Sequence, residues 1–350
     1  MKISDLEFFL VDVPRSDSVV PLRSLLVRLA SDDGHEGWGE AGLAWRPGEL
    51  ADRRRALLPG LAGRNVFQIE ELARLDLLRP APLRAAVEMA SWDMIGRALG
   101  EPICHLMGGP YRARIPIAAR LPQEGIETVV LRARELADRG FHAQVIPGSG
   151  DAETDGARIM AVMEAIGERV ELRVDGLGRL DAAAALALCQ KLERHAEVRH
   201  FVDPIAGGDL ARLARLRQQT AVAIGARMVI DSPARIVDAA RQEAAELVVV
   251  DMARVGGLSA ARACGVVAEA AGMIAALDAG ESVGPAAAAL LQVAASTPAF
   301  STSSELSFHE LRGDVLAERI ETVDGMMATP EGPGLGVEIS RAKIERYLAT

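Results

Sequence analysis

Five short apolar runs of the sequence each end in a charged residue, and these five residues could carry out chemistry. They are Asp175, Asp203, Arg227, Asp251 and Asp278, and they follow one another at steps of 28, 24, 24 and 27 residues. Clustered carboxylates can move a proton or hold a divalent cation, and an arginine can hold a carboxylate or a developing oxyanion. If the fold brings the five residues together, they form one charged site.

The spacing of these runs predicts the elements that position them. A strand, a helix and two short loops consume about that length, and the connection must be a right-handed crossover between parallel strands. The runs RIPIAAR near residue 115, HAQVIP near residue 143 and PAFSTS near residue 298 continue the pattern. About eight such units predict a closed α/β barrel, in which functional groups gather at the carboxyl ends of the strands. A doubly wound open sheet is the alternative, but the first strand lacks a Gly-rich dinucleotide fingerprint and the sequence has no phosphate-binding loop.

Residues 1–112 lack this alternation and predict a separate α+β unit. The segments MKISDLEFFLVDVP and SLLVRLASDDGHEGWGEAG are typical of antiparallel strands with a turn at Asp33-Gly34, and PLRAAVEMASWDMIGRALG is typical of a helix that ends at Gly100. We therefore predict a capping unit over 1–112, a barrel over 113–310 and a tail over 311–350 that packs on the first unit.

The composition argues against several classes of protein. The net charge of -10 disfavours nucleic acid and anionic membranes as main partners. The N-terminal segment has no signal-peptide pattern and no apolar run reaches the ~20 residues of a membrane span, which predicts a cytoplasmic protein without membrane contact. Cys104, Cys189 and Cys264 lie far apart, as reduced thiols would. Only Lys2, Lys191 and Lys343 are lysines, so a site that needs a lysine has almost none available.

Six motifs carry a resemblance to a known family. They are GWGEAG (37–42), AAVEMASWDMIGRALGEPICHLMGG (85–109), RVDG (173–176), VGGLSAARA (255–263), ESVG (281–284) and GPGLGVE (332–338). In these motifs and in their order the sequence resembles the enolase superfamily, in its mandelate racemase and muconate cycloisomerase branch. The resemblance implies a (β/α)7β TIM-like barrel with an α+β capping domain formed by both ends of the chain, an active site between the two, and a homo-oligomer.

The resemblance also implies a reaction, the abstraction of a proton α to a carboxylate. The enediolate that forms needs strong charge stabilisation, which Mg²⁺ supplies in the family. The family's metal ligands are carboxylates that end the third, fourth and fifth barrel strands, and those positions match Asp175, Asp203 and Arg227 here. The two aspartates are the predicted metal ligands, but an arginine cannot bind Mg²⁺ and its charge repels the ion. We therefore predict weak or absent Mg²⁺ binding, with Arg227 in the place of the ion and bridging the carboxylates on either side.

The proton-transferring residues of the family are changed as well. A Lys-x-Lys pair ends the second strand of muconate cycloisomerases, but here that strand reads HAQVIPG, and we predict that Gln144 contacts the substrate there. The family's sixth strand ends in a lysine or an aspartate and, in the racemase branch, its seventh ends in a histidine; the matching residues are Asp251 and Asp278. Glu281 matches the acidic residue of the family's ESxxG segment. The predicted catalytic residues are Asp251, Asp278 and Glu281, with Arg227 and Gln144 binding the substrate.

These matches predict a divergent isomerase or lyase (a racemase, cycloisomerase or dehydratase) that acts on a small carboxylate. A non-catalytic relative that keeps the fold for ligand binding or as a structural protein is the alternative, because charged strand ends can be an inert remnant. A remote third interpretation is a serine hydrolase, since GESVG at 280–284 matches G-x-S-x-G, with Ser282 as nucleophile and Glu305 and His309 as partners. The segment PRSDSVV at 14–20 matches the family's mobile loop that closes over the substrate.

Overall fold

The computed structural model describes residues 1–16, 18–195, 197–207 and 209–350, and it begins with a three-stranded antiparallel sheet. The strands are β1 (Ile3–Val13), β2 (Leu22–Ser31) and β3 (Glu36–Ala41), and Gly34 takes a φ of 88° in the predicted turn between β2 and β3. Four helices follow: α1 (Leu50–Leu61), α2 (Ile69–Ala73), α3 (Ala81–Leu99) and α4 (Ile103–Leu106).

The long helix α3 packs directly on β3, and the glycines of GWGEAG make this possible. A Cβ added at Gly37 or Gly39 would collide with the backbone of α3. The helix ends at Gly100, as predicted, in the left-handed conformation with a φ of 71°. Helix and sheet bury one apolar core between them, so this unit holds together through its own packing.

Eight parallel strands form a closed barrel after this unit. Each strand pairs with the next along the chain, and the last pairs with the first. The strands are β4 (Arg114–Arg120), β5 (Ala143–Pro147), β6 (Glu171–Asp175), β7 (Val198–Val202), β8 (Ile224–Ala226), β9 (Leu247–Asp251), β10 (Ile274–Gly280) and β11 (Ser304–Leu306). The predicted fold, a TIM-like barrel with an α+β capping domain, is therefore confirmed.

The last strand lies later in the chain than the sequence pattern predicted. The residues around PAFSTS form a turn, in which Phe300 N–H donates to the carbonyl of Thr297 at 3.2 Å and Ser301 N–H donates to that of Ala299 at 2.9 Å. Phe300 is fully buried, so its apolar character reflects packing of the turn and not a strand. The strand itself is the short β11, whose Glu305 faces the barrel mouth.

The barrel helices connect successive strands on the outside. They are α5 (Ile126–Asp138), α6 (Ala152–Ile166), α7 (Ala182–Leu192), α8 (Leu210–Arg217), α9 (Pro233–Arg241), α10 (Met252–Val255), α11 (Leu258–Ala270) and α12 (Pro285–Ser296). Asp151, Asp181 and Asp209 cap three of them by accepting from a backbone N–H in the first turn. None of the helices in the described ranges combines the length and apolar character needed to cross a membrane.

The C-terminal segment returns to the first unit. A hairpin of β12 (Thr322–Val323) and β13 (Met326–Ala328) pairs antiparallel with the beginning of β4, and helix α13 (Arg341–Tyr347) follows. Ala349 N–H then donates to the carbonyl of Leu10 on β1 at 2.8 Å. The tail thus contacts the capping unit, while the boundaries proposed at residues 112 and 310 stay predictions.

Part of the loop predicted to close over the substrate is held against the end of the barrel. Ser16 N–H donates to the carbonyl of Glu310 at 2.8 Å, and Arg312 N–H donates to that of Pro14 at 2.9 Å. Residue 17 of the predicted loop at 14–20 lies outside the described residues.

Candidate active site at the mouth of the barrel

The carboxyl ends of the barrel strands bring the predicted charged residues together. In the sheet register Asp278 lies beside Asp251 on one side and beside Glu305 on the other. Arg227 follows β8 and reaches across the mouth to the carboxylates of four other strands or strand ends. Four of the five predicted strand-end residues therefore come together in contacts that centre on this arginine, whereas Asp251 lies beside Asp278 without touching Arg227.

The guanidinium of Arg227 lies in the middle of the cluster. Its Nη2 donates to Asp175, its Nη1 lies 3.5 Å from both Asp278 Oδ2 and Glu305 Oε2, and its Nε lies 3.8 Å from Asp203 Oδ2. The side chain is only 12% exposed. Burial alone lowers the pKa of an arginine, but the four carboxylates raise the pKa of Arg227 above its ordinary value, so it stays charged.

Asp175 is held by two arginines. Besides Arg227, the Nη2 of Arg120 at the end of β4 donates to Asp175 Oδ2 at 2.8 Å, and Leu177 N–H donates to Oδ1 at 3.1 Å. Burial raises the pKa of this carboxyl, yet the two guanidinium groups outweigh it and the pKa of Asp175 lies below its ordinary value. Asp175 is therefore ionised, and both of its oxygens already accept hydrogen bonds.

Asp203 is held mainly by the backbone. It has a φ of 44°, a left-handed conformation uncommon for a residue other than glycine. Its Oδ1 accepts from Arg227 N–H at 3.0 Å, and its Oδ2 accepts from Met228 N–H at 3.1 Å. Burial raises the pKa of Asp203 to about 6 despite these bonds. Asp203 thus holds the backbone that follows β8 and thereby positions the Cα of Arg227.

Asp278 and Glu305 form a pair of neighbouring carboxylates. Asp278 Oδ1 accepts from Gly280 N–H at 2.6 Å, and Glu305 accepts from the buried Arg173 of β6. Burial, with the negative charge of Glu305, raises the pKa of Asp278 to about 7, against the opposing charge of Arg227. Asp278 can therefore exchange a proton near neutral pH, which a general base requires.

These residues do not fit a magnesium ion. Asp175 accepts from Arg120 and Arg227, Asp203 accepts from two backbone N–H groups, and the guanidinium of Arg227 lies between the carboxylates. Within the described ranges no three or more His, Cys, Asp or Glu residues are placed to hold a metal ion. An octahedral oxygen site needs free carboxylate oxygens and no cation at its centre.

The other two predicted catalytic residues lie at the edge of the cluster. Asp251 Oδ1 caps α10 by accepting from Ala253 N–H at 2.9 Å and Arg254 N–H at 3.1 Å. Glu281 is 47% exposed and forms an ion pair with Arg15 from the N-terminal segment. Both line the mouth, and catalysis by either stays a prediction.

Gln144 does not reach the mouth, and its predicted contact with the substrate is wrong. The side chain is fully buried under α5, where Nε2 donates to the carbonyl of Ala133 at 2.9 Å. Successive residues of a strand point to opposite faces. Gln144 faces the helix layer, whereas Val145 is the residue of β5 that lines the mouth.

The structure also contradicts the serine hydrolase interpretation. Ser282 is fully buried, and its Oγ donates to Glu40 at 2.7 Å and accepts from Gly284 N–H and Ala287 N–H. The hydroxyl links the capping unit to the beginning of α12 and has no access to a substrate. Glu305 contacts Arg173 and Arg227 instead, and the buried ring of His309 packs on Phe141 at 4.7 Å between centroids.

Two cavities open at this mouth. The one beside the cluster measures about 180 Å³ and includes the side chains of Arg120, Arg227, Asp278, Glu281, Glu305 and Ser307 in its wall. The other, of about 570 Å³, lies between the capping unit and the barrel and includes Arg23, Asp231, Asp251, Arg254 and Glu281. Glu281 borders both cavities.

Sequence reasoning does not identify three residues that form ion pairs in the cluster: Arg120, Arg173 and Glu305. Arg120 ends the run RIPIAAR, so the strand-end rule that found Asp175 could have found it. Arg173 lies two residues before Asp175 and therefore on the same face of β6. Glu305 lies on β11, which begins several residues after the predicted last strand, so the strand-end rule does not identify it.

Known proteins match the chain over nearly its whole length. The family models described as "Enolase C-terminal domain-like" and "Mandelate racemase / muconate lactonizing enzyme, N-terminal domain" match residues 128–343 and 16–108. Muconate cycloisomerase 1 from Rhodococcus opacus is 29% identical over 370 residues, covering 99% of this chain and 98% of that protein. Cis-3-hydroxy-L-proline dehydratase from Roseibium aggregatum is 26% identical over 359 residues, covering 96% of both. The crystal structure of 2-chloromuconate cycloisomerase from Rhodococcus opacus 1CP matches with a TM-score of 0.91 at 27% identity and covers 99% of each chain.

Proposed function

The chain belongs to the mandelate racemase and muconate lactonizing enzyme branch of the enolase superfamily, and on that premise we propose that it removes a proton α to the carboxylate of a small acid. Asp278 is the proposed base, and arginine takes over the charge that a divalent metal supplies in relatives. The product is an isomer or, where a leaving group is present, an unsaturated acid. Relatives named as cycloisomerase and dehydratase are consistent with either outcome.

The choice of Asp278 as base rests on its place and its protonation. It lines the smaller cavity, whereas Asp175 and Asp203 have their oxygens occupied by donors on the protein. Because burial and Glu305 raise its pKa to about 7, Asp278 can accept a proton and return it without a large barrier at neutral pH. Asp251 is less suited, since its Oδ1 is used to cap α10.

The observation that carries the proposal is the position of the Arg227 guanidinium. It touches the carboxylates that match the family's metal ligands and also lines the cavity beside Asp278. A fixed guanidinium in a buried site stabilises negative charge that develops on a substrate carboxylate. It supplies one positive charge where a magnesium ion supplies two, so we expect slow turnover or a more acidic substrate than in metal-dependent relatives.

A non-catalytic role in ligand binding is the second candidate, and the contacts of Arg227 favour it. Each nitrogen of Arg227 already faces a carboxylate of the protein, so this side chain has little left to offer a substrate. In that case the charged mouth would hold a ligand without transferring a proton.

Solvent exchange separates the two candidates. The purified protein is incubated in D2O, with a chelator, against amino acids, 2-hydroxy acids and sugar acids, and loss of the α-proton signal is followed by NMR. We expect exchange that survives the chelator, disappears in Asp278→Asn and persists in Asp138→Asn, a control whose side chain is 73% exposed on the barrel surface. Exchange that requires added magnesium would contradict the role of Arg227, and no exchange with any acid would support the binding role.

A further inference from the structure

The smaller cavity contains one arginine with donors to spare. Arg120 directs Nη2 to Asp175, and its other nitrogens donate to no residue in the part of the chain that the structure describes. Its side chain is 32% exposed and lines the cavity, in contrast to the nearly buried Arg227. A guanidinium with free N–H groups binds a carboxylate through two parallel hydrogen bonds. Arg120 is therefore the group on which a ligand carboxylate fits.

The rest of the cluster has an excess of negative charge. Among the residues that the structure describes, four arginines contact five carboxylates: Arg15, Arg120, Arg173 and Arg227 against Asp175, Asp203, Asp278, Glu281 and Glu305. With all groups ionised the cluster carries one net negative charge. A ligand that is only an anion increases this excess, whereas a ligand that also carries a cation does not. The electrostatics thus favour a zwitterion over a simple carboxylate.

The cavity that Arg120 lines also has acidic groups in its wall. Asp278, Glu281 and Glu305 line the same cavity as Arg120, and Glu281 is the most exposed of the three. The cavity volume of about 180 Å³ corresponds to about six waters at roughly 30 Å³ each. That space fits a small amino acid.

The chemistry of an amino acid also suits a site without a divalent metal. An ammonium group on the α-carbon withdraws electrons and makes the α-proton more acidic than that of a simple carboxylic acid. In the proposed step the proton passes from the α-carbon to Asp278, and the electron pair of the C–H bond moves into the carboxylate held by Arg120. Return of the proton to the carbon regenerates the acid, so the step needs no further reactant.

We propose that the substrate is a small α-amino acid, bound with its carboxylate on Arg120 and its ammonium group toward Glu281 and the neighbouring acids. The assignment rests on the proposed function, because it names the substrate class of that reaction. It gives Arg120 the role of a substrate-binding residue and Glu281 the role of a specificity residue.

Binding measurements test the ligand class without depending on turnover. Calorimetric titrations compare alanine, serine, valine and proline with matched 2-hydroxy acids, lactate among them, and with ethylamine. We expect at least one amino acid to bind about tenfold or more tightly than its hydroxy-acid counterpart, a difference of about 1.4 kcal/mol. Equal or tighter binding of the hydroxy acids, or binding of none of these compounds, overturns the assignment.

Variants test the two proposed contacts separately. Arg120→Gln should lose binding of amino acids and hydroxy acids alike, whereas Glu281→Gln should reduce the preference for amino acids and leave hydroxy-acid binding in place. Arg114→Gln is the matched control, because Arg114 begins the same strand at the opposite end of the barrel. Unchanged binding in Arg120→Gln, or an unchanged preference in Glu281→Gln, contradicts the corresponding contact.

The outcomes distinguish a failure of this inference from a failure of the proposed function. Selective binding of amino acids without deuterium exchange in the native protein would keep the ligand class and refute the reaction. Exchange into hydroxy acids, with none into amino acids, would keep the reaction and refute the ligand class.

Discussion

Two groups of buried carboxylates hold this protein together, and they are satisfied in different ways. One group, Glu40, Glu88 and Asp93, lies in the capping unit, and each of its carboxylates accepts hydrogen bonds from two backbone N–H groups. The other group, Asp175, Asp278 and Glu305 at the barrel mouth, contacts arginine side chains. The carboxylates of both groups are buried. We infer that only those at the mouth can give up a hydrogen-bond donor to a ligand, because an arginine side chain can move and a backbone N–H cannot.

The interface carboxylates act as fixed links between the capping unit and the rest of the chain. Glu40 accepts from Val283 N–H at 2.6 Å and Ala286 N–H at 2.9 Å, in addition to Ser282. Glu88 accepts from the N–H groups of Leu258 and Ser259 at the beginning of α11. Burial raises the pKa values of Glu40 and Glu88, and these hydrogen bonds oppose the shift.

Asp93 follows the same pattern with one addition. It accepts from Trp38 N–H at 2.9 Å and Leu335 N–H at 2.8 Å, and Arg97 lies 3.1 Å away. Burial raises its pKa to about 6 even with this arginine present. Backbone donors cannot move away or be replaced by solvent, so a carboxylate held by them stabilises the fold and is unsuited to binding. An arginine can redirect its donors to a ligand, which supports the proposal that the mouth is the functional region.

Removal of Arg227 should have the largest effect on stability. Arg227→Met leaves Asp175, Asp203, Asp278 and Glu305 buried without their shared cation, and we expect a loss of about 3–5 kcal/mol in the free energy of unfolding. Urea denaturation measures the loss. Arg114→Met, at an exposed position, is the control and should change stability by less than about 0.5 kcal/mol. A loss below about 1 kcal/mol in Arg227→Met, which is the net contribution of one ordinary hydrogen bond, would show that the cluster does not depend on this arginine.

Loss of an interface carboxylate should come next in size. Glu40→Ala leaves the N–H groups of Val283 and Ala286 and the hydroxyl of Ser282 without their acceptor, at a cost of about 2–3 kcal/mol. Glu40→Gln keeps one acceptor oxygen and should lose less. Neither variant should alter the pH dependence of deuterium exchange, and a shifted profile in Glu40→Gln would place Glu40 in the reaction.

The pH dependence of stability should report the protonation of Asp278 at the barrel mouth. Asp278 has a pKa of about 7 in the folded protein against 3.8 for an exposed aspartate, so the folded state binds more protons between these values. Its contribution to stability is therefore complete below about pH 4 and is lost as the pH rises through about 7. Asp278→Asn should flatten this decline, measured as urea midpoints at several pH values from 4 to 8. Parallel curves for the variant and the native protein would show that Asp278 titrates normally.

The sequence predicted the barrel and most of its charged mouth for a physical reason. Parallel strands that alternate with helices must end on one face, so a charge at each strand end predicts a cluster without knowledge of any contact. The same rule applied to RIPIAAR would have added Arg120. Gln144 was misplaced because β5 carries no charged residue at its end, and an apolar run does not reveal which alternate residues face the barrel interior.

The partners of each charge could not be read from the sequence. The contacts of Arg227 depend on its side-chain conformation and on the left-handed backbone at Asp203. The spacing of residues in the sequence predicts neither of these. Likewise, Ser282 looks like a nucleophile in GESVG, yet its role follows from Glu40, which lies 242 residues away in the chain. Long-range contacts of this kind decide whether a reactive group is exposed or used in packing.

Addition or removal of magnesium should have the smallest effect on the native protein. Because Arg227 lies between Asp175 and Asp203, we expect no change in the thermal midpoint with either magnesium or a chelator. Arg227→Glu is the informative variant, since it places a third carboxylate beside the two aspartates, and an ion that binds only the folded state raises its stability by about 2.7 kcal/mol at 100 times the Kd. Stabilisation by magnesium in Arg227→Glu but not in the native protein would establish that this arginine excludes the metal, whereas stabilisation of the native protein would contradict it.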